Sequence, residues 1–320
     1  MFVSLLEWIV TLGVTIAVLL FDIAMMARRS GEPTMRSCAI ALSAYVGLAV
    51  CFGIWTWYFH GQRFALEFFA GWITEYSLSI DNLFVFVIIM TSFNVPRAYQ
   101  RQALLAGLVI ALIFRGIFIA LGAAAIQRFS WVFYLFGAFL VYTAIRLARG
   151  TEHDANAENA AVRFARGHLN ATGSWHGARL YVKEGARWSM TPMFLVVVAL
   201  GVADLIFALD SIPAIFGLTR EAYLVFAANV FALMGMRQLY FLLANLLQRL
   251  VYLSKGLGAV LLFIGIKLIL QALRDNDLPF INGGKPVDVP EVPTLFTLAF
   301  IVVTLAITAA ASLYSTRDAV

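Results

Sequence analysis

The sequence predicts an all-α polytopic membrane protein of about nine transmembrane helices, six of them forming a 3+3 inverted repeat. Three observations carry this. Of the 320 residues, 62% are hydrophobic and 13% charged, against about 25% charged in a soluble domain. The mean hydropathy is +0.87. Apolar runs of about 20 residues recur along the whole chain, each long enough to cross a hydrocarbon core of about 30 Å. A transmembrane β-barrel would show shorter alternating segments.

Taken in order, the expected spans are 2–27, 38–59, 64–93, 102–126, 130–147, 191–218, 222–247, 250–273 and 293–313. The first is read as a span and not as a cleavable signal. No basic residue precedes it, and Arg28 and Arg29 follow it. That places the N-terminus outside the cell membrane and the first loop in the cytoplasm. With an odd number of spans the C-terminus is cytoplasmic too. Of the 23 Lys and Arg residues, only Arg63, Arg128, Arg220, Arg274 and Lys285 fall in expected outer loops. The net charge of +5 therefore reflects the positive-inside bias, and no nucleic-acid partner is expected. Membrane lipid is the implied environment. Cys38 and Cys51 lie thirteen residues apart on one span, so neither a disulfide framework nor a thiol redox motif is expected.

The organisation follows: two N-terminal helices (1–59), a first three-helix unit (60–149), a cytoplasmic loop (150–190), a second three-helix unit (191–274), and an outer loop with the last helix (275–320). The loop carries His153, His168 and His176 among mixed charges. It reads as a solvated linker with a small surface helix or hairpin; His168 and His176 lack a second pair of ligands at a metal-binding spacing. The outer loop is acidic, with Asp275, Asp277, Asp288 and Glu291, and reads as an extracellular turn. Asp22, Glu67, Arg146 and Lys267 lie near span ends, where long side chains snorkel.

The two units correspond. Aligning Asp81 with Asp210 also aligns Glu75 with Asp204. After a gap of seven residues, Arg115 matches Arg237, and the segment 136–147 matches 257–268 without a gap. Three spans per unit is an odd number, so the second unit would enter the membrane from the opposite side. Such repeats place a substrate site at their interface near the bilayer midplane, often where helices are broken. Pro213, three residues after Asp210, reads as such a break because proline removes a helical donor.

Acidic side chains carry the functional signal. A charge at the centre of a membrane helix costs roughly 2.5–3.5 kcal/mol on insertion scales. Glu75, Asp81, Asp204 and Asp210 put four there. Arg115 and Arg237 offset two, and the remaining −2 equals the charge that one divalent cation would neutralise. Asn82 and Ser211, each directly after an acid, complete an oxygen-rich set, and Asn229 is a weaker addition. Oxygen donors suit Mg²⁺, Ca²⁺ or Mn²⁺ better than Zn²⁺ or Cu⁺. Six residues on a helix amount to about 9 Å of rise and roughly 240° of rotation. Paired acids therefore share a site only if the helix unwinds; otherwise one of each pair faces a neighbouring helix. A purely structural alternative, with two Arg–carboxylate pairs locking helices together, stays open at this point.

The stretches Glu75-Tyr-Ser-Leu-Ser-Ile-Asp-Asn-Leu-Phe-Val-Phe86 and Asp204-Leu-Ile-Phe-Ala-Leu-Asp-Ser-Ile-Pro-Ala-Ile-Phe216 resemble the TerC family of membrane proteins. So do Ala228–Arg237, Leu239–Leu243 and Val162-Arg-Phe, and the likeness covers roughly residues 60–275. The long interior loop is most similar to the Alx-like branch. The resemblance implies manganese export, with the acids of both motifs as metal ligands. It implies Mn²⁺ as transported ion and no prosthetic group. Export of a dication against an inside-negative potential costs about 2.3 kcal/mol per charge per 100 mV, so coupling is needed, with protons as the expected counter-ion. The family has also been described in terms of redox modulation, which the two cysteines do not support. From another class, a membrane scaffold that assembles other membrane proteins would depend on the 150–190 loop and not on the acids. An intramembrane enzyme has the least support, because no mid-span His or Cys nucleophile arrangement exists.

Overall fold

The computed structural model describes residues 3–28, 34–129, 131–149, 175, 177, 179–184, 187–243, 252–276, 278 and 281–315. The sequence-expected loop histidines lie outside the described residues, as do the side chains of Asp22, Asp81 and Arg237.

The chain is a helical bundle. Its helices are α1 (Leu5–Arg28), α2 (Met35–His60), α3 (Gln62–Ser92), α4 (Arg97–Arg128), α5 (Val132–Ala148), α6 (Pro192–Phe216), α7 (Ala222–Met234), α8 (Met236–Leu243), α9 (Leu253–Arg274) and α10 (Thr294–Ser315). Among the described residues, seven stretches are long and apolar enough to cross a membrane, with Ala222–Leu242 counted as one; Leu5–Val18 and Val132–Ala148 are shorter apolar segments. These fall at the nine expected spans. The segment before α6 forms an antiparallel hairpin, β1 (Tyr181–Glu184) with β2 (Arg187–Met190), registered Tyr181 to Met190. Thr191 then starts α6: its hydroxyl accepts from the Phe194 backbone N–H at 3.4 Å, and Pro192 takes the first helical position, where its missing donor costs nothing.

Three pairings are the most extensive: α5 with α9, α3 with α7, and α4 with α6. α2 packs on α3 and α8, and α10 on α3 and α9. Only Ala222 and Phe226 of α7 are not fully buried, so α7 is enclosed by protein on nearly every side. That suits a helix that is apolar all round. By contrast α1, α2 and α10 present Leu6, Ile9, Ile54, Phe59, Leu295 and Ile307 outward. An outward apolar face is what contact with lipid tails favours.

The expected break in the sixth span is not found. α6 runs unbroken through Pro213 to Phe216. Pro213 sits in the last turn, so one ladder bond is lost near an end that frays anyway, while Ile212, Ala214 and Ile215 beside it are packed at 0–4% exposure. The interruption lies in the seventh span instead, at Gly235 between α7 and α8. A Cβ there would come within 3.0 Å of both Leu42 Cδ1 and the Tyr76 hydroxyl. With any larger residue here, Tyr76 of α3 and Leu42 of α2 would have to shift by a few tenths of an ångström.

Candidate functional site

Four helices converge on one guanidinium. Arg115, 1% exposed, sits at the middle of α4. It donates from Nε to Asp204 Oδ2 at 3.2 Å and from Nη2 to Asp204 Oδ1 at 3.0 Å. Nη1 pairs with Glu75 Oε1 and donates to Asn229 Oδ1 at 2.8 Å and to Ser211 Oγ at 3.3 Å. Glu75 comes from α3, Arg115 from α4, Asp204 and Ser211 from α6, and Asn229 from α7. All five are at most 1% exposed.

The helical period explains the meeting. Asp204 and Ser211 are seven residues apart, two turns, and so lie on one stripe of α6. The pairings of α3 with α7 and of α4 with α6 bring all four helices to a common seam. In that seam Arg115 is the reach element: its fork satisfies a carboxylate bidentately and still has Nη1 for a second helix. Two carboxylates against one guanidinium leave this described cluster at −1.

Several buried polar atoms on α3 and α7 have no partner among the described residues: Glu75 Oε2, Ser79 Oγ, Asn82 Nδ2, Asn229 Nδ2, Thr74 Oγ1 and the Tyr76 hydroxyl. Buried polar groups are nearly always hydrogen-bonded; Glu75 Oε2 and Asn229 Nδ2 belong to residues that touch Arg115, and Ser79 and Asn82 share the stripe of Glu75 on α3. Next to Asp204, a void of about 10 Å³ is otherwise lined by Leu83, Phe86, Leu104, Leu108, Ala111 and Met236. That is roughly the room one water requires.

Of the sequence candidates, the structure thus brings together Glu75, Asp204, Ser211 and Arg115, with the weaker candidate Asn229 beside them. Asn82 is buried at 4% exposure, with its Nδ2 unpartnered. Asp210 faces another neighbour: its Oδ1 accepts from Thr143 Oγ1 of α5 at 3.2 Å. Because α6 is regular, Asp204 and Asp210 point to different sides. No group of three or more acidic, His or Cys side chains at metal-binding separation exists among the described residues. Thr143 was missed in the sequence. No local signal singles it out, since its role comes from α5 packing on α6.

Fold and site define a class: a polytopic helical membrane protein with an interlocked acid–arginine cluster inside its bundle. The comparisons then place it. The model of the integral membrane protein TerC family matches residues 60–319, and the chain belongs to that family. It is 46% identical over 317 residues to an uncharacterised membrane protein of Mycobacterium tuberculosis, covering 98% of this chain and 80% of that one. A Myxococcus xanthus membrane protein is 36% identical over 262 residues, with 82% of each chain covered. The Escherichia coli K12 protein named "Putative membrane-bound redox modulator Alx" is 35% identical over 269 residues, covering 81% of this chain and 84% of that one. No solved structure matches the chain.

Proposed function

We propose that this chain is a secondary transporter that exports a hard divalent cation, with Mn²⁺ as the cargo the family resemblance implies, by alternating access between two inverted three-helix units. The observation that carries the proposal is the bridge from Arg115 to Glu75 and Asp204, one acid from each unit. Buried ion pairs give little net stability, since desolvation offsets most of the attraction. A buried cluster with more acids than cations, and with unpartnered polar atoms on Glu75 and Asn229, is costly for a scaffold and useful for an ion pathway.

In this reading Arg115 is a tethered competitor of the metal. When the dication enters, Glu75 and Asp204 exchange the guanidinium for it, and Ser211, Asn229 and Asn82 supply further oxygens. Asp81 and Asp210 bring the remaining charge when the units rock, and Arg237 balances the second pair. Closely spaced carboxylates cannot all stay ionised, so metal entry releases protons, which gives an exchange with protons as counter-ion.

The packing supports the repeat. Swapping the two units turns the α3–α7 pairing into α6–α4 and leaves α5–α9 unchanged. At the residue level, Gly137 meets Gly265, and their aligned counterparts Gly258 and Ala144 also meet. For the redox description of one relative, this chain offers Cys38 and Cys51, neither in a disulfide among the described residues and thirteen residues apart on α2. That amounts to about 20 Å of helix, far beyond the 4.4–6.8 Å a disulfide spans between Cα atoms.

The test is total cell manganese under manganese stress, in cells expressing wild type or Asp204→Asn at equal protein level. Export reading predicts accumulation in the variant. Wild-type manganese content in the variant would end the metal-site assignment.

A further inference from the structure

At the end of the bundle where α3 begins and α6 and α9 finish lies a cavity of about 270 Å³. None of its lining residues belongs to the Arg115 cluster. Four cations face it: Arg63, Arg220, Lys267 and Arg274. The carboxylates in its wall are Glu67, Asp275 and Glu291.

Every one of those carboxylates is engaged. Arg63 Nε donates to Glu67 Oε1 at 2.8 Å, and Thr219 Oγ1 donates to Glu67 Oε2 at 2.7 Å. Both oxygens of this buried acid are therefore used within the protein. Arg220 pairs with Asp275, and Arg274 Nη1 lies 3.0 Å from Glu291 Oε2. Lys267 is left over. It has no hydrogen-bond or ion-pair partner among the described residues, yet it lines the cavity two turns inside the end of α9. Among the described lining residues there is thus one cation more than there are carboxylates. A guanidinium has N–H groups on three nitrogens; Arg63 and Arg274 each engage a carboxylate through one.

We propose that this cavity is an oxyanion site for a phosphate-type group, with Lys267 as the anchoring cation and Arg63 and Arg274 as further donors. A metal cation suits it poorly, because the one buried carboxylate, Glu67, has both oxygens used within the protein and the charge left over among the described lining residues is positive. A phosphate has three or four acceptor oxygens, which matches converging N–H donors and the surplus charge. The cavity, at about 270 Å³, is roomy enough for such a group. Two sources carry this chemistry: free inorganic phosphate, and the headgroup of an anionic phospholipid packed beside α9 and α10. The inference is independent of the metal reading.

The experiment uses the full-length protein in phosphatidylcholine nanodiscs. Thermal melting is followed while inorganic phosphate is titrated against chloride at matched ionic strength, and again with phosphatidylglycerol included in the disc. Wild type is expected to show a saturable rise in melting temperature. Lys267→Met should weaken the apparent affinity about tenfold, the scale of one lost charge-assisted bond, while Lys267→Arg keeps it. A response to phosphate alone identifies the free ion; a response to phosphatidylglycerol alone identifies the headgroup. Arg274→Gln, a half-exposed position, is read the same way if Lys267→Met does not yield folded protein. The proposal is overturned if wild type shows no saturable response to either anion. It is equally overturned if the substituted protein responds as wild type does, because Lys267 then merely extends to solvent.

Discussion

Arg115 of α4 grips Asp204 of α6 with two nitrogens of its guanidinium, Nε at 3.2 Å and Nη2 at 3.0 Å, and turns the third toward Glu75 of α3. The two acids that the sequence placed at matched positions of two units are thereby joined through one side chain. This is a lock that a dication could open, since it offers both carboxylates the charge that the guanidinium now supplies.

Removing the lock should be costly and partly repairable by metal. Arg115→Met leaves Glu75 and Asp204 buried with no described counter-charge. Breaking a buried pair from one side costs about 3–5 kcal/mol. The variant should melt well below wild type in detergent. Added Mn²⁺ should raise its melting temperature by more than it raises that of wild type, because no tethered cation competes. Arg115→Lys keeps the charge without the fork and should fall between them. An equal or smaller Mn²⁺ shift in Arg115→Met would sink the exchange idea.

The acids of α6 should separate by role. Asp204 is held by Arg115, whereas Asp210 accepts from Thr143 at 3.2 Å. Thr143→Val removes that donor and should cost about 1 kcal/mol of stability, the net worth of a typical hydrogen bond. It should also slow manganese export in vesicles by a few-fold, because it no longer orients Asp210. The Arg115 cluster stays intact, so the Mn²⁺-induced melting shift should match wild type. A Thr143→Val protein with unchanged export and stability would show that this contact has no part in transport.

These assignments show how much the sequence disclosed. Glu75, Asp204 and Arg115 were legible because ionised side chains in an apolar run have few physical excuses. Ser211 was legible because it follows Asp210 and shares a stripe with Asp204. The period of the helix left two alternatives, an unwound helix or one acid turned to a neighbour; Asp204 and Asp210 on the regular α6 follow the second. Thr143 was not legible, since a threonine in a span commonly bonds its own backbone, as Thr56 does to Phe52 at 2.9 Å. The break was misplaced for a similar reason. Pro213 is a strong local signal, but its cost depends on how close it lies to the helix end, while Gly235 acts through Tyr76 and Leu42, more than 150 positions away in sequence.

Gly235 yields a test of that long-range effect. A β-carbon at this position would sit 3.0 Å from the Tyr76 hydroxyl and from Leu42 Cδ1, closer than ordinary packing allows. Gly235→Ala should destabilise by about 1–3 kcal/mol, as overpacking typically does. Tyr76→Phe removes the obstructing oxygen, which has no hydrogen-bond partner among the described residues. The double variant should therefore recover part of the loss, with a coupling of about 0.5 kcal/mol or more. Strictly additive melting shifts would show that the two residues do not press on each other.

The seam between α5 and α9 supplies a graded test of packing. A β-carbon on Gly137 would meet Ile269 Cγ1 at 2.6 Å and the Gly265 carbonyl at 2.9 Å. Backbone cannot step aside as a side chain can, and small residues are what let membrane helices approach this closely. On the aligned Gly258, the same atom would meet Leu147 Cβ at 3.3 Å and the Ala144 carbonyl at 3.4 Å. The two sites are related by the proposed symmetry but differ by half an ångström in clearance. Gly137→Ala should therefore lower the melting temperature markedly, and Gly258→Ala only slightly. Gly47→Ala, with nothing within 4 Å, should stay within about 0.5 kcal/mol of wild type, as open surface positions do. Fluorescence-detected gel filtration after a heating series ranks all three. If Gly258→Ala proves as damaging as Gly137→Ala, the half-ångström difference between the paired contacts does not govern this seam.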